Sequence, residues 1–138
     1  MYEQWSKNDL FFKDLKTPFY GIRILRQDPT ENLFSFICSQ NNNIVRITQL
    51  VEKLCENYGE HITTFEDKKY YSFPNISALA GQNVEQELRN LGFGYRAKFI
   101  QKVAETIRDK VEGEKWLFNL RKSSYQEAHK SMFLLFLT

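Results

Sequence analysis

The sequence predicts an all-α protein, on three observations. Apolar residues recur at helical spacing through Ile44, Ile47, Leu50, Val51 and Leu54, and again through Phe99, Val103, Ala104, Ile107 and Val111. Helix-start signatures punctuate the chain at Asp28, at Asn42 or Asn43, and at Asn75, Asn83 and Ser124. The segments between these runs are short and polar. The expectation is about six or seven helices in one cluster, and 138 residues that are 42% hydrophobic and 15% aromatic suffice for one real core.

Taken in order, Trp5–Tyr20 fits a short amphipathic helix with Leu10, Phe11, Phe12 and Leu15 on its apolar side, ended before Pro18. Gly21–Leu25 alternates β-branched residues and is either an extended connector or a brief strand. At Asp28 a helix starts strongly. The aspartate caps, Pro29 suits the first position, and Glu31 stands where a capping box needs it. Leu33, Phe34, Phe36, Ile37 and Cys38 leave this helix apolar on nearly all sides, so it is expected in the middle of the domain.

The next helix, Ile44–Asn57, is expected to end on Gly59 in a left-handed conformation. His61–Tyr71 is highly charged in its middle and reads as solvated loop, with Phe65, Tyr70, Tyr71 and Phe73 as anchors. Short helices follow, one from Asn75 to Gly81 and one capped by Asn83, with Gln86 in the box position, ending at Leu91. A long helix over Tyr95–Lys110 carries the second apolar stripe. Another short one over Glu114–Leu120 turns Trp116, Leu117 and Leu120 inward, and Ser124 with Glu127 opens the last helix, through Met132. Phe133–Thr138 is apolar without a cap or a polar face.

Composition excludes several classes. No apolar run approaches the ~20 residues that span a bilayer, and the first residues lack both a basic and an apolar leader region, so a soluble protein is expected. Cys38 and Cys55 sit on apolar helical stripes and read as reduced core thiols. His61 and His129 have no ligand partners at metal spacing, so no metal site is expected. Net charge is only +2, so any nucleic-acid-binding surface must be local.

Two stretches carry the chemistry. Gln40–Asn43 places four consecutive side-chain amides after a buried helix, with Arg46 one turn on. Capping accounts for one asparagine but not for all three. Amides and guanidinium groups are the side chains that pair with base edges. Leu91–Ala97 contains Gly92 and Gly94, which permit left-handed turns where a helix start offers free amides to an anion. Tyr95 there is, on its own, a packed aromatic.

Together Leu25–Pro29, Leu33–Ser39, Asn41–Ile44, Arg46-Ile47, Phe73-Pro74, Leu79–Gly81, Leu91-Gly92, Gly94–Ala97 and Ser123–Lys130 resemble the eukaryotic 8-oxoguanine DNA glycosylases. The resemblance runs through most of Tyr2–Lys130. It implies an incomplete helix-hairpin-helix glycosylase fold, no organic cofactor, duplex DNA with oxidised guanine opposite cytosine as partner, a monomer, and base excision repair in nucleus and mitochondrion. Family members remove the oxidised guanine and then act as lyases. Residue by residue, it implies that Asn41 occupies the space left by a flipped base, that Arg46 and Arg96 bond the widowed cytosine, and that Tyr95 wedges the stack beside it.

The resemblance stops near Lys130. In the family the helix ending in Ala128-His129-Lys130 runs into a Leu-Pro-Gly-Val-Gly hairpin that leads to the nucleophilic lysine, whereas here the last glycine is Gly113. Nucleophile, assisting aspartate and most of the base pocket would lie beyond Thr138, so no catalytic residue is assigned. Lys130 precedes the hairpin position and is no substitute. The expected organisation is residues 1–27 as the trailing piece of a preceding domain, 28–130 as helical core, and 131–138 as a divergent apolar tail. Three functions compete: a damaged glycosylase/lyase, a non-catalytic module that binds damaged DNA, and a truncated fragment without function of its own.

Overall fold

A computed structural model describes residues 2–136 and is mostly helical, as expected. In chain order its elements are α1 (Tyr2–Asn8), α2 (Leu10–Leu15), α3 (Pro29–Ser39), α4 (Ile44–Tyr58), strands β1 (His61–Phe65) and β2 (Lys68–Tyr71), α5 (Ile76–Leu79), α6 (Val84–Asn90), α7 (Arg96–Arg108), α8 (Lys115–Asn119), a 3-10 turn over Leu120–Lys122, and α9 (Tyr125–Leu135). Of the apolar tail, Leu137 and Thr138 lie outside the described residues.

The core forms around α3, which packs on α4, α7 and α8, while α5 and α6 lie on α7. Asp28 starts α3 by accepting from the amides of Thr30 and Glu31, and this cap works without the box expected from the Glu31 side chain. Leu33, Phe34, Ile37 and Cys38 are buried, but Phe36 turns outward, so the helix has one solvent-facing side after all. On α7 the buried face is Ala97, Ile100, Val103, Ala104 and Ile107. Phe99, at the edge of that face where its ring meets Tyr95, and Val111, past the end of the helix, are both exposed, contrary to the expected stripe. Ile44 is also exposed, at the open first position of α4, while Leu50 and Leu54 are buried. Both cysteines are free thiols, Cys38 buried and Cys55 half-buried.

The expected single N-terminal helix is two, because Asp9 is extended and its carboxylate caps α2 through the Phe12 amide. Tyr2, Trp5, Phe12 and Tyr20 form a local aromatic cluster, while Leu10 and Phe11 point outward. Gly21–Leu25 is a connector without strand pairing.

His61–Tyr71 is an antiparallel hairpin rather than a loop, pairing Phe65 with Lys68 and Thr64 with Lys69. Its turn residues Glu66 and Asp67 both have positive φ, 47° and 61°, as a two-residue turn of type I′ demands. Phe65 and Tyr70 are exposed, so the anchoring falls to Tyr71 and to Phe73, whose ring lies 6.3 Å from that of Phe34. Gly59 is not left-handed: it has φ −88° and ψ 163°. It must be glycine because a Cβ would stand 2.0 Å from the Ser72 carbonyl oxygen. The Asn83 side chain caps nothing, and Gln101 from α7 accepts from the Glu85 amide in its stead. The expected box at Ser124 forms, and α9 runs on into the tail, burying Leu135 and leaving Phe133 and Leu134 exposed.

Candidate nucleic-acid interface

Helix ends leave carbonyl groups without helical partners. Two such ends meet on one side of this domain, at the α3–α4 turn over residues 40–43 and at the α6–α7 turn over residues 91–95.

In the first turn Asn43 caps α4 by accepting from the Arg46 amide at 3.0 Å. Asn42 closes the turn from within, donating Nδ2 to the Cys38 carbonyl at 2.9 Å and accepting from the Asn43 amide. Asn41 is the only one of the three in the left-handed region, at φ 45°, a conformation asparagine tolerates better than most residues. Its side chain is exposed and makes no hydrogen bond among the described residues, so the amide that the family resemblance singles out is the one local capping does not use.

In the second turn Gly92 and Gly94 have φ 92° and 61°, as their spacing predicted. They reverse the chain so that α7 starts with Tyr95 at its mouth. The amides of Arg96 and Ala97 return to the carbonyls of Phe93 and Gly94.

The two turns fasten each other. Arg46 Nη2 donates to the Gly92 carbonyl at 3.2 Å, and Lys53, two helical turns further along α4, donates to the Leu91 carbonyl at 2.8 Å. In return the Tyr95 hydroxyl donates to the Gln40 carbonyl at 3.1 Å, and Arg96 Nη2 donates to the carbonyls of Gln40 and Asn41, the latter at 3.0 Å. The guanidinium also lies under the Tyr95 ring, 4.7 Å from its centroid, and Phe99 meets that ring edge-on. The ring is therefore braced at hydroxyl, edge and face while it remains 47% exposed.

All four residues singled out in the sequence thus converge, though Arg46 and Arg96 are fifty positions apart. Their postures differ. Asn41, Arg46 and Tyr95 are exposed, whereas Arg96 is only 4% exposed and turned inward, with its Nε unpartnered. Below it Cys38 is buried; burial pushes its thiol up to about 12, against the lowering influence of the Arg96 charge. Lys98 and Lys102, exposed on α7 at helical spacing from Tyr95, add positive charge along the same side, which fits a local basic surface on a chain of small net charge.

Sequence reading missed Lys53 and the backbone of Gln40. Lys53 was findable, since it lies seven residues after Arg46 on the same face of α4. The role of the Gln40 carbonyl leaves no trace in residue identity. Lys130 is exposed on α9, outside this cluster of bonds.

Comparison with known proteins places the chain in a family. Residues 34–133 match the family model described as HhH-GPD superfamily base excision DNA repair protein, and residues 1–33 match that of the 8-oxoguanine DNA glycosylase N-terminal domain. The N-glycosylase/DNA lyase of Saccharomyces cerevisiae is 49% identical over 109 residues, covering 78% of this chain and 28% of the relative. The N-glycosylase/DNA lyase OGG1 of Arabidopsis thaliana is 40% identical over 129 residues, covering 93% of this chain and 35% of the relative. Among solved structures, the Clostridium acetobutylicum 8-oxoguanine glycosylase/lyase in complex with double-stranded DNA containing cytosine opposite 8-oxoG matches with a TM-score of 0.76 and 30% identity, over 97% of this chain and 44% of that one. The chain thus spans about a third of the length of these curated relatives.

Proposed function

Because the chain belongs to the HhH-GPD superfamily of base excision DNA repair proteins, we propose that it binds duplex DNA through the face carrying Asn41, Arg46, Tyr95 and Arg96, as the part of an 8-oxoguanine N-glycosylase/DNA lyase that reads the strand opposite the lesion. The observation that carries this reading is the mutual fastening of the two turns, which presents a braced, exposed aromatic beside an unused amide and the Arg46 guanidinium, with the Arg96 guanidinium turned inward beneath the ring. Flipping a base costs a few kcal/mol, and an aromatic wedge with polar groups that bond the orphaned partner offsets that cost. Base-edge pairing by Arg and Asn favours cytosine's acceptor-rich edge once its guanine has left. The substrate is oxidised guanine opposite cytosine, the chain acts as a monomer, and its sites of action are nucleus and mitochondrion, where such DNA resides.

Residues 28–130 are proposed to supply the binding part of this reading. None of the chain's lysines holds the position that the resemblance gives the nucleophile, and a positioned amine is what makes the covalent step fast. Borohydride trapping on an 8-oxoguanine duplex is expected to yield no covalent adduct, and an adduct abolished by Lys130→Ala would refute that. The binding test is a titration of labelled duplex carrying an abasic-site analogue opposite cytosine, at two salt concentrations. Binding is expected to be weak, to fall steeply with salt, and to weaken further in Tyr95→Ala and Arg46→Ala. Tight binding that survives high salt, or variants that bind like the parent, would place the interface elsewhere.

A further inference from the structure

Lys53 belongs to none of the motifs that pointed to DNA, yet it contacts the turn from which Tyr95 and Arg96 follow. Its ammonium group, half-buried on α4, donates to the Leu91 carbonyl at 2.8 Å. It also lies against Gly92, within 4.0 Å of where a Cβ would be. Leu91 caps the C-terminus of α6 and Gly92 follows it, so their carbonyls are consecutive. Among the described residues, that of Leu91 has Lys53 as its hydrogen-bond donor and that of Gly92 has Arg46. Cations at a helix C-terminus bond its last carbonyls and match its dipole. Two cations on one face of α4 therefore hold two successive peptide groups of the turn that launches the Tyr95 wedge.

We infer that Lys53 is a positioning residue. By holding the Leu91 carbonyl it fixes the α6–α7 turn, and through the turn it fixes the Tyr95 ring and the Arg96 guanidinium against the carbonyls of Gln40 and Asn41. The functional half of this inference rests on the DNA-binding reading above; the structural half does not. Arg46 cannot replace Lys53, because its own bond goes to the next carbonyl, at 3.2 Å, and it is itself exposed on the DNA-facing side.

The test compares the full chain with Lys53→Met, which keeps the aliphatic length and removes the charge, and Lys53→Arg, which restores a cation. Amide hydrogen exchange by NMR reads the turn directly. In Lys53→Met the amides of Gly92, Phe93, Arg96 and Ala97 are expected to exchange about tenfold faster, the loss of one charge-assisted bond, while those of Ile100, Val103 and Ile107 are unchanged. Lys53→Arg is expected to restore the parental rates. On the abasic-analogue duplex the Met variant is expected to bind about fivefold to tenfold more weakly, with the parental dependence of affinity on salt. A lysine that touched phosphate directly would lower that salt slope by about one on removal. Unchanged exchange at the turn, or a uniform rise across α7, overturns the inference, and so does a salt slope that drops in the Met variant. A parent chain that does not bind the duplex refutes the proposed function instead, and the exchange rates then still decide whether Lys53 holds the turn.

Discussion

Arg96→Met removes the guanidinium from the centre of the two-turn clamp and leaves most of the side-chain volume. Arg96 is 4% exposed and gives one nitrogen to two backbone carbonyls. Hydrogen bonds from a charged donor contribute roughly 1.5–3 kcal/mol each, but three features reduce the sum. Both bonds share Nη2, the Gln40 carbonyl keeps the Tyr95 hydroxyl, and the Asn41 carbonyl sits in an exposed turn that water can reach. Removing the unpartnered buried Nε offsets a further fraction. The net destabilisation is expected to be about 2 kcal/mol, and with a urea slope of about 2 kcal/mol per molar this lowers the unfolding midpoint by about 1 M. Arg96→Lys keeps the charge but can satisfy the paired carbonyls less well, and is expected to fall between. Equilibrium urea unfolding followed by circular dichroism makes the comparison. A Met variant with the parental midpoint and slope would refute the clamp, because it would mean that the inward guanidinium holds nothing.

Gly59→Ala and Gly59→Asn are both expected to destabilise the chain by about 1–3 kcal/mol in thermal unfolding, because any Cβ meets the Ser72 and Cys55 carbonyls. Gly94→Asn, at φ 61° with open space around it, is expected to cost much less. Ser124→Ala removes the α9 cap and is expected to cost about 1 kcal/mol. The Glu127 carboxyl is held below its ordinary value, first by the Ser124 hydroxyl and then by the Ser124 amide. A folded-state value below the unfolded one means that this stabilisation is complete above the ordinary carboxylate range and is lost as pH falls through the folded value. The acid limb of the unfolding curve should therefore flatten in Ser124→Ala. Burial raises both thiols, Cys38 to about 12, and Cys38 is fully buried where Cys55 is half-buried, so brief native alkylation read by mass spectrometry is expected to label Cys55 first.

Caps and turn glycines were legible because their chemistry is local. Asp28, Asn43, Asn75 and Ser124 each act on an amide two or three residues away, so type and spacing suffice. The hairpin was hidden because Glu66-Asp67 occupies left-handed positions where glycine or asparagine would have announced the turn, and because its charges looked like solvated loop. Asn83 misled for the opposite reason. It has the right type at a helix start, but Gln101, sixteen residues beyond the amide it serves, takes the cap. Gly59 was correctly expected to end its helix but for the wrong reason, since a close approach from Ser72 cannot be read from its neighbours in sequence. At the candidate site the residue types were legible and the arrangement was legible only through the family resemblance, because every bond joining the two turns spans at least 38 positions.

That arrangement also explains how a site built on two turns can be rigid. Each turn follows a helix whose last carbonyls lack helical partners, and each supplies, or is followed by, cationic or hydroxyl donors that reach the other. Bonding the carbonyls at and just past the helix ends is thus the same set of contacts as positioning the site. What remains outside the clamp is the Asn41 side-chain amide, the unused nitrogens of Arg46 and the exposed part of the Tyr95 ring. Arg96 is the exception, since every contact it makes here faces inward. To pair with a base edge it must turn part of its fork outward, and Nη1 and Nε are the donors not engaged by the two carbonyls. A guanidinium can hold both at once because its donors diverge within one plane; a lysine at position 96 could not. The Arg96→Lys variant should therefore lose more in affinity for a cytosine-containing abasic duplex than its change in stability accounts for, and an equal loss in both would mean that Arg96 serves the turn alone.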